Sequence, residues 1–215
     1  VVDIVAARPD FQGALYQFLI GLLQTTFAPE DEEAWFNFWE IGQIQGLKKQ
    51  FGLLSSAFNL FAEDAPAFLQ DFNLMEGESK SIAALLIEAP GGKTLRDNLD
   101  HFVKGGNVTG MCEPCSATAL FTLQTNAPSG GVGHRVGLRG GGPLTTFTMP
   151  LGEQVFLWNK LLINLLPVES LGQLITSPDK SVFPWMCETR KSDKNGVATL
   201  PEDVSILQAY WGMPR

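Results

Sequence analysis

Gly130 to Gly142, reading GGVGHRVGLRGGG, places seven glycines in thirteen positions, entered through Pro128 and interleaved with His134, Arg135 and Arg139. Neither a helix nor a regular strand accommodates that density, because each glycine costs backbone entropy there while opening angles closed to other residues. The segment therefore interrupts regular structure. With no Cβ in the way, its main chain can lie close against a ligand. A flexible surface loop is the plain alternative. Against a simple linker stand its short length, three basic or titratable side chains with no acid, and the strand-like run Pro143 to Pro150 that follows at once.

Clustered backbone N–H groups attract anions, so a phosphate cradle is the first chemistry to test. The fingerprints do not fit. A dinucleotide turn begun at Gly131-x-Gly133 needs a third glycine where Val136 stands, and no buried apolar strand leads directly into it. A P-loop needs Lys and Ser/Thr after its last glycine, whereas Gly142 is followed by Pro143. A nucleotide-binding enzyme is thereby disfavoured. His101 and His134, the two histidines, lie near no serine in a nucleophile-elbow context, and Glu30 to Glu33 read as a solvated helix start. Nothing in the chain requires an enzyme.

The 215 residues, 45% of them hydrophobic, suffice for one large domain with a packed core. No apolar run approaches the roughly 18–20 residues of a membrane span, and the start lacks the positive region of a signal peptide. A cytoplasmic protein without a membrane partner is expected. The net charge of -8 opposes wholesale nucleic-acid binding, but it is unevenly spread. Residues 1–90 hold four basic against thirteen acidic side chains, whereas residues 91–141 hold five against three. Polyanion contact is therefore expected in the portion that contains most of the glycine segment.

Periodicity predicts an amphipathic core helix from Pro9 to about Thr26, carrying Phe11, Ala14, Leu15, Phe18, Leu19, Leu22 and Leu23 at three- and four-residue spacing. Further helices are predicted over Pro29 to Glu40, Ile44 to Phe61 with a break near Gly52, Ser79 to Glu88, and Val155 to Leu166 closed by Pro167. Cys115 to Gln124 is a compact apolar helix or strand. The tail from Ser181 reads as strand, turn and a last short element near Trp211. The fold class expected is α+β: a mixed globular domain, helix-rich in its first half, with short strands and long glycine-rich loops.

Cys112 and Cys115 form C-x-x-C, and Cys187 stands alone. The pair reads as half a zinc site, a redox dithiol, or cysteines without a special role. A redox dithiol wants its first cysteine at a helix N-terminus, which the apolar run after Cys115 permits.

Taken together, Cys112-Glu-Pro-Cys115, Ala119-Leu-Phe121, Asn126-Ala-Pro128, the glycines to Gly133, Gly137-Leu-Arg-Gly-Gly141 and Pro143-Leu-Thr-Thr-Phe147 resemble the large subunit, CasA, of the type I-E CRISPR surveillance complex Cascade. The likeness is densest over residues 100–150 and extends to Gln208-Ala-Tyr-Trp-Gly-Met-Pro214. It implies a non-enzymatic subunit of an antiviral, RNA-guided complex that checks duplex DNA for a short flanking motif, the PAM, and supports opening of the target. Its partners would be the other Cascade subunits, the guide RNA, double-stranded DNA and a helicase-nuclease effector.

On this resemblance, Ser129, Gly130, Gly131, Val132 and Gly133 would lie against the PAM in the minor groove, with His134, Arg135 and Arg139 beside them. Backbone groups reading a degenerate hydrogen-bond pattern would accept several related motifs. Val132 stands where the family usually has glycine. Phe102, Val103 and Lys104 would form the loop that anchors the subunit near the 5′ end of the guide RNA, with Phe102 suited to stacking on a base. Cys112 and Cys115 would supply half of a zinc site that a downstream pair completes. The chain would be the main part of the N-terminal globular domain, truncated at both ends and lacking the C-terminal helical bundle. By itself it is expected to bind DNA poorly. A thiol-redox protein or a purely structural assembly module are the alternatives.

Overall fold

The computed structural model describes residues 1–42, 45–63, 66–73, 77–103, 108–126, 146–152, 155–172, 174–190, 196 and 198–212. Its centre is α1, Pro9–Thr26, opened by Pro9 in the first turn with Asp10 beside it. Proline suits that position because its missing N–H would have no helical partner, and an acid there complements the helix dipole. Buried residues occur on every side of α1, from Phe11 and Ala14 to Tyr16, Ile20, Leu22 and Thr25. A helix covered all round belongs in the interior. The amphipathic helix read from the sequence is thus a central one.

Three groups of side chains pack around it. On one side Ala14 and Leu22, with Phe18, meet Leu54, Ala57, Phe68, Phe121, Phe183, Trp185 and Trp211. Rings in this group meet largely edge to face: Phe18 lies 5.3 Å from Phe121 at 88° and 5.6 Å from Trp211 at 84°. Such geometry sets the positive ring edge against the negative face, adding about 0.5–1.5 kcal/mol per pair beyond burial. On a second side Tyr16, Ile20 and Leu23 meet Leu161, Leu162 and Leu165. At the helix start Phe11 packs with Leu86 and Ala119.

The remaining helices form this shell. α2, Glu32–Ile41, starts at Asp31, whose carboxylate accepts the Ala34 N–H at 2.8 Å, and stops at Gly42 with φ of 64°. α3, Leu47–Leu53, leads into a 3-10 turn, Ser55–Phe58. α4 is Gly92–Arg96, α5 is Glu113–Asn126, α6 is Leu157–Leu162 and α7 is Val168–Leu171. α5 lies along α1 and α6 contacts both α1 and α2. Indole N–H groups bind the shell together: Trp35 donates to the Leu162 carbonyl at 3.2 Å and Trp158 to that of Phe38 at 2.9 Å. No helix among the described residues is long and apolar enough to cross a membrane.

The expected α+β class is corrected: the described residues are helix-rich and contain no strand. Two runs explain the difference. Phe147 sets its ring 5.1 Å from that of Tyr16, while Thr148 exchanges both backbone hydrogen bonds with the Asn164 side chain, at 2.7 and 2.8 Å. A side-chain amide occupies the place of a neighbouring strand. Near the tail, Val182, Phe183 and Trp185 are buried, but Pro184 opens a 3-10 turn, Pro184–Met186, and supplies no N–H for a ladder. Their apolar pattern is satisfied by the aromatic core alone. Ser79 to Glu88 likewise shortens to a 3-10 turn, Ile82–Leu85, and the last element is the 3-10 stretch Ile206–Tyr210.

Candidate nucleic-acid interface and dithiol

Helix α5 connects the features singled out from the sequence. Cys112 directly precedes it, and the Cys112 carbonyl accepts the Ser116 N–H at 2.8 Å, the first bond of the helix. Cys112 is exposed and Cys115 half-buried, one turn apart; both are free thiols. They touch. The hydrogen bond from the Cys115 thiol, together with the Cys115 backbone N–H, pulls Cys112 below the ordinary thiol range, and the same thiol contact raises Cys115. Ser116, Ala119, Phe121 and Thr122 fix the rest of α5 in the core. The dithiol thus sits on a rigid support with one face open to water.

Two soft thiolates one turn apart suit zinc, and tetrahedral coordination calls for two more ligands. Among the described residues no third His, Cys, Asp or Glu joins them. Cys187, half-buried, turns its Sγ to the Pro184 carbonyl at 3.7 Å instead.

The segment between α4 and α5 carries the expected RNA-anchoring residues. Phe102 is 100% exposed and Val103 37% exposed; Leu95 and Leu99 are also exposed. Lys104 lies outside the described residues. A fully exposed phenylalanine gains nothing from its own fold. The Phe102 ring is open to solvent over its whole surface.

Ser129, Gly130, Gly131, Val132, Gly133, His134, Arg135 and Arg139 also lie outside the described residues. The chain on either side of them is well fixed. Asn126 ends α5, and Thr125, just before it, is buried. At the other side Thr146 offers its carbonyl to Gln17 Nε2 at 3.4 Å, Phe147 covers Tyr16, and Asn164 holds Thr148. Both flanks of the glycine segment are therefore anchored to α1, one through α5 and one directly.

Sequence reading missed Gln17, Tyr16 and Asn164 in this role. Their signal was weak, since each falls inside a helical pattern where an amide or a phenol reads as ordinary surface. Beside Phe147 a shallow depression of about 460 Å³ is lined by Ala6, Pro9, Gln12, Gly13, Tyr16 and Phe147.

Asp3 ties the N-terminal segment to the same region. Its carboxylate accepts from Tyr16 Oη, from Lys160 Nζ at 2.6 Å and from the Ile4 N–H at 2.7 Å. Lys160, then Tyr16, hold Asp3 below the ordinary carboxylate range. In return the Asp3 hydrogen bond raises Lys160, while burial, followed by that same hydrogen bond, raises Tyr16.

Comparison with known proteins places this architecture. No curated protein sequence matches the chain significantly. Solved structures of Thermus thermophilus CasA share its fold. A crystal structure of CasA from Thermus thermophilus superposes with a TM-score of 0.61 at 20% identity, over 97% of this chain and 40% of that one. A second structure of Thermus thermophilus CasA (Cse1) gives 0.54 at 21% identity, over 87% and 37% respectively. This chain thus spans well under half the length of either. The family model for the CRISPR-associated protein Cse1 matches residues 1–215, the whole chain, and the chain belongs to that family.

Proposed function

We propose that the chain is the PAM-sensing part of a Cascade large subunit in an RNA-guided antiviral DNA surveillance complex. The observation that carries this reading is the family match over all 215 residues. The glycine segment, with Ser129 to Gly133 against the minor groove and His134, Arg135 and Arg139 toward phosphates, senses the flanking motif. Glycine removes the steric barrier to groove approach, and the basic residues add sequence-independent attraction. The residues on either side of the segment, α5 and Thr146 to Thr148, are both fixed to α1. Phe102, Val103 and Lys104 anchor the subunit near the 5′ end of the guide RNA, for which the full exposure of Phe102 is the support. Cys112 and Cys115 supply half of a zinc site completed from other parts of the subunit. Target opening and recruitment of a helicase-nuclease follow motif recognition, without chemistry by this chain.

Retention of the subunit in the reconstituted complex tests the anchoring role. The full-length subunit carrying Phe102→Ala is expected to bind the guide-RNA-containing assembly at least about fivefold more weakly, since a base–aromatic stack contributes about 1–3 kcal/mol. Gly131→Asp is expected to leave retention unchanged. Equal retention of the Phe102 variant would remove the RNA-anchoring assignment.

A further inference from the structure

We infer that Asn164 is a positioning residue for discrimination between targets with and without the flanking motif, a role that rests on the proposed motif reading by the glycine segment. Its side chain makes three hydrogen bonds. Oδ1 accepts the Thr148 N–H at 2.7 Å, while Nδ2 donates to the Thr148 carbonyl at 2.8 Å and to the Lys160 carbonyl at 2.9 Å. One acceptor and two donors at those places require an amide, in this orientation. The Lys160 carbonyl belongs to the last turn of α6, where a helix end leaves carbonyls without helical donors. Bonding it ties the amide plane to α6. Around Asn164, Leu162 and Leu165 are buried with Tyr16, Ile20 and Leu23 of α1. The residue is thus fixed in its backbone by the core and in its amide by the helix end.

The chain on the two sides of the glycine segment is supported unequally. Before it stands α5, a helix of 14 residues with Ala119, Phe121, Thr122 and Thr125 buried. After it, residues 146–150 have no regular structure, so side chains from elsewhere hold their backbone. Gln17 reaches the Thr146 carbonyl at 3.4 Å, and the Phe147 ring lies 5.1 Å from that of Tyr16. Asn164 alone of the three makes two short polar bonds to one backbone residue. Thr148 lies six positions beyond Gly142, a reach of about 20 Å for extended chain. Recognition groups need their supports to hold them within about 0.5 Å, so freeing Thr148 acts on motif discrimination before it acts on the fold. Attraction to phosphates carries no sequence information and does not depend on that support.

The reconstituted complex is assembled with full-length subunit, unaltered or carrying Asn164→Ala, Asn164→Asp or Gly131→Asp. Affinity is measured at fixed salt for duplexes with and without the motif that the unaltered complex prefers. Asn164→Asp keeps the shape and the acceptor for Thr148 but sets a carboxylate against two carbonyls, and it decides the matter if the alanine variant does not fold. Both Asn164 variants are expected to bind the motif-bearing duplex at least about fivefold more weakly, from the loss of two hydrogen bonds. Binding of the duplex without the motif, retention in the complex and helix content should stay unchanged. An equal drop toward both duplexes would overturn the role, since it marks general damage to the subunit. Undiminished discrimination in the Asn164 variants, beside its loss in Gly131→Asp, would also overturn it and leave motif reading by the glycine segment standing. Undiminished discrimination in Gly131→Asp would overturn that reading, and the role of Asn164 with it.

Discussion

Thr25 and Trp211 make a secluded polar contact in the molecule's core: the indole N–H donates to Thr25 Oγ1 at 2.9 Å, with the residues 0% and 1% exposed. Burying a donor without an acceptor costs its full desolvation, so the hydroxyl here matters more than its size. Thr25→Val preserves shape and removes the acceptor. It is expected to lower stability by about 1–3 kcal/mol, read as a shift of the urea midpoint, whereas Thr25→Ser keeps most of it. Asp3 makes a different residue-scale prediction, set by charge. A carboxylate depressed by its partners contributes stability above its ordinary value of 3.8, and that contribution fades as pH falls through the lower folded value. Lys160 and Tyr16, raised above 10.5 and 10.0, contribute below those values and lose the contribution as pH rises through their higher folded ones. Asp3→Asn is therefore expected to be less stable than the unaltered chain near neutral pH. The gap should close as pH falls below about 4, measured by denaturant midpoints across pH.

Helix α1 shows how one element can carry two opposite glycines. A Cβ on Gly21 would stand 3.1 Å from Tyr210 Cβ and 3.4 Å from the Trp211 ring, whereas one on Gly13 would meet nothing within 4 Å. Gly13→Ala is accordingly expected to stabilise by about 0.4–1 kcal/mol through reduced freedom of the unfolded chain. Gly21→Leu is expected to destabilise by at least about 1–3 kcal/mol by forcing the 3-10 stretch Ile206–Tyr210 and Trp211 away from α1. Thermal melts of both variants check the pair, and equal effects would mean that Gly21 is not a packing glycine. The span of α1 was legible because its apolar spacing is long and Pro9 marks its start. Its surroundings were not, because periodicity identifies a face and cannot count how many neighbours cover the others. Short elements were the least legible. Phe147 and Val182 have the residue types of strands, yet the backbone around them pairs with the Asn164 amide and with turn carbonyls, which no local pattern announces.

At the scale of the whole molecule, a central helix supports α5, with the dithiol at its head, and both approaches to the glycine segment. The chemistry of the candidate site was legible in the sequence, since glycine density, a C-x-x-C and an aromatic beside glycines are visible as residue types. Its support was not: Gln17 and Asn164 act through contacts 129 and 16 positions apart along the chain, and Tyr16 reaches Phe147 across a similar distance. We propose that the glycine segment reads the flanking motif. Its most direct test is duplex-target binding by the reconstituted complex at fixed salt, with full-length subunit unaltered or carrying Gly131→Asp, against targets with and without candidate motifs. A new carboxylate in a groove lined by phosphates should weaken motif preference by at least about tenfold while the complex stays assembled. An assembled Gly131→Asp complex with undiminished motif preference would contradict the claim, and would return these glycines to folding or subunit contact.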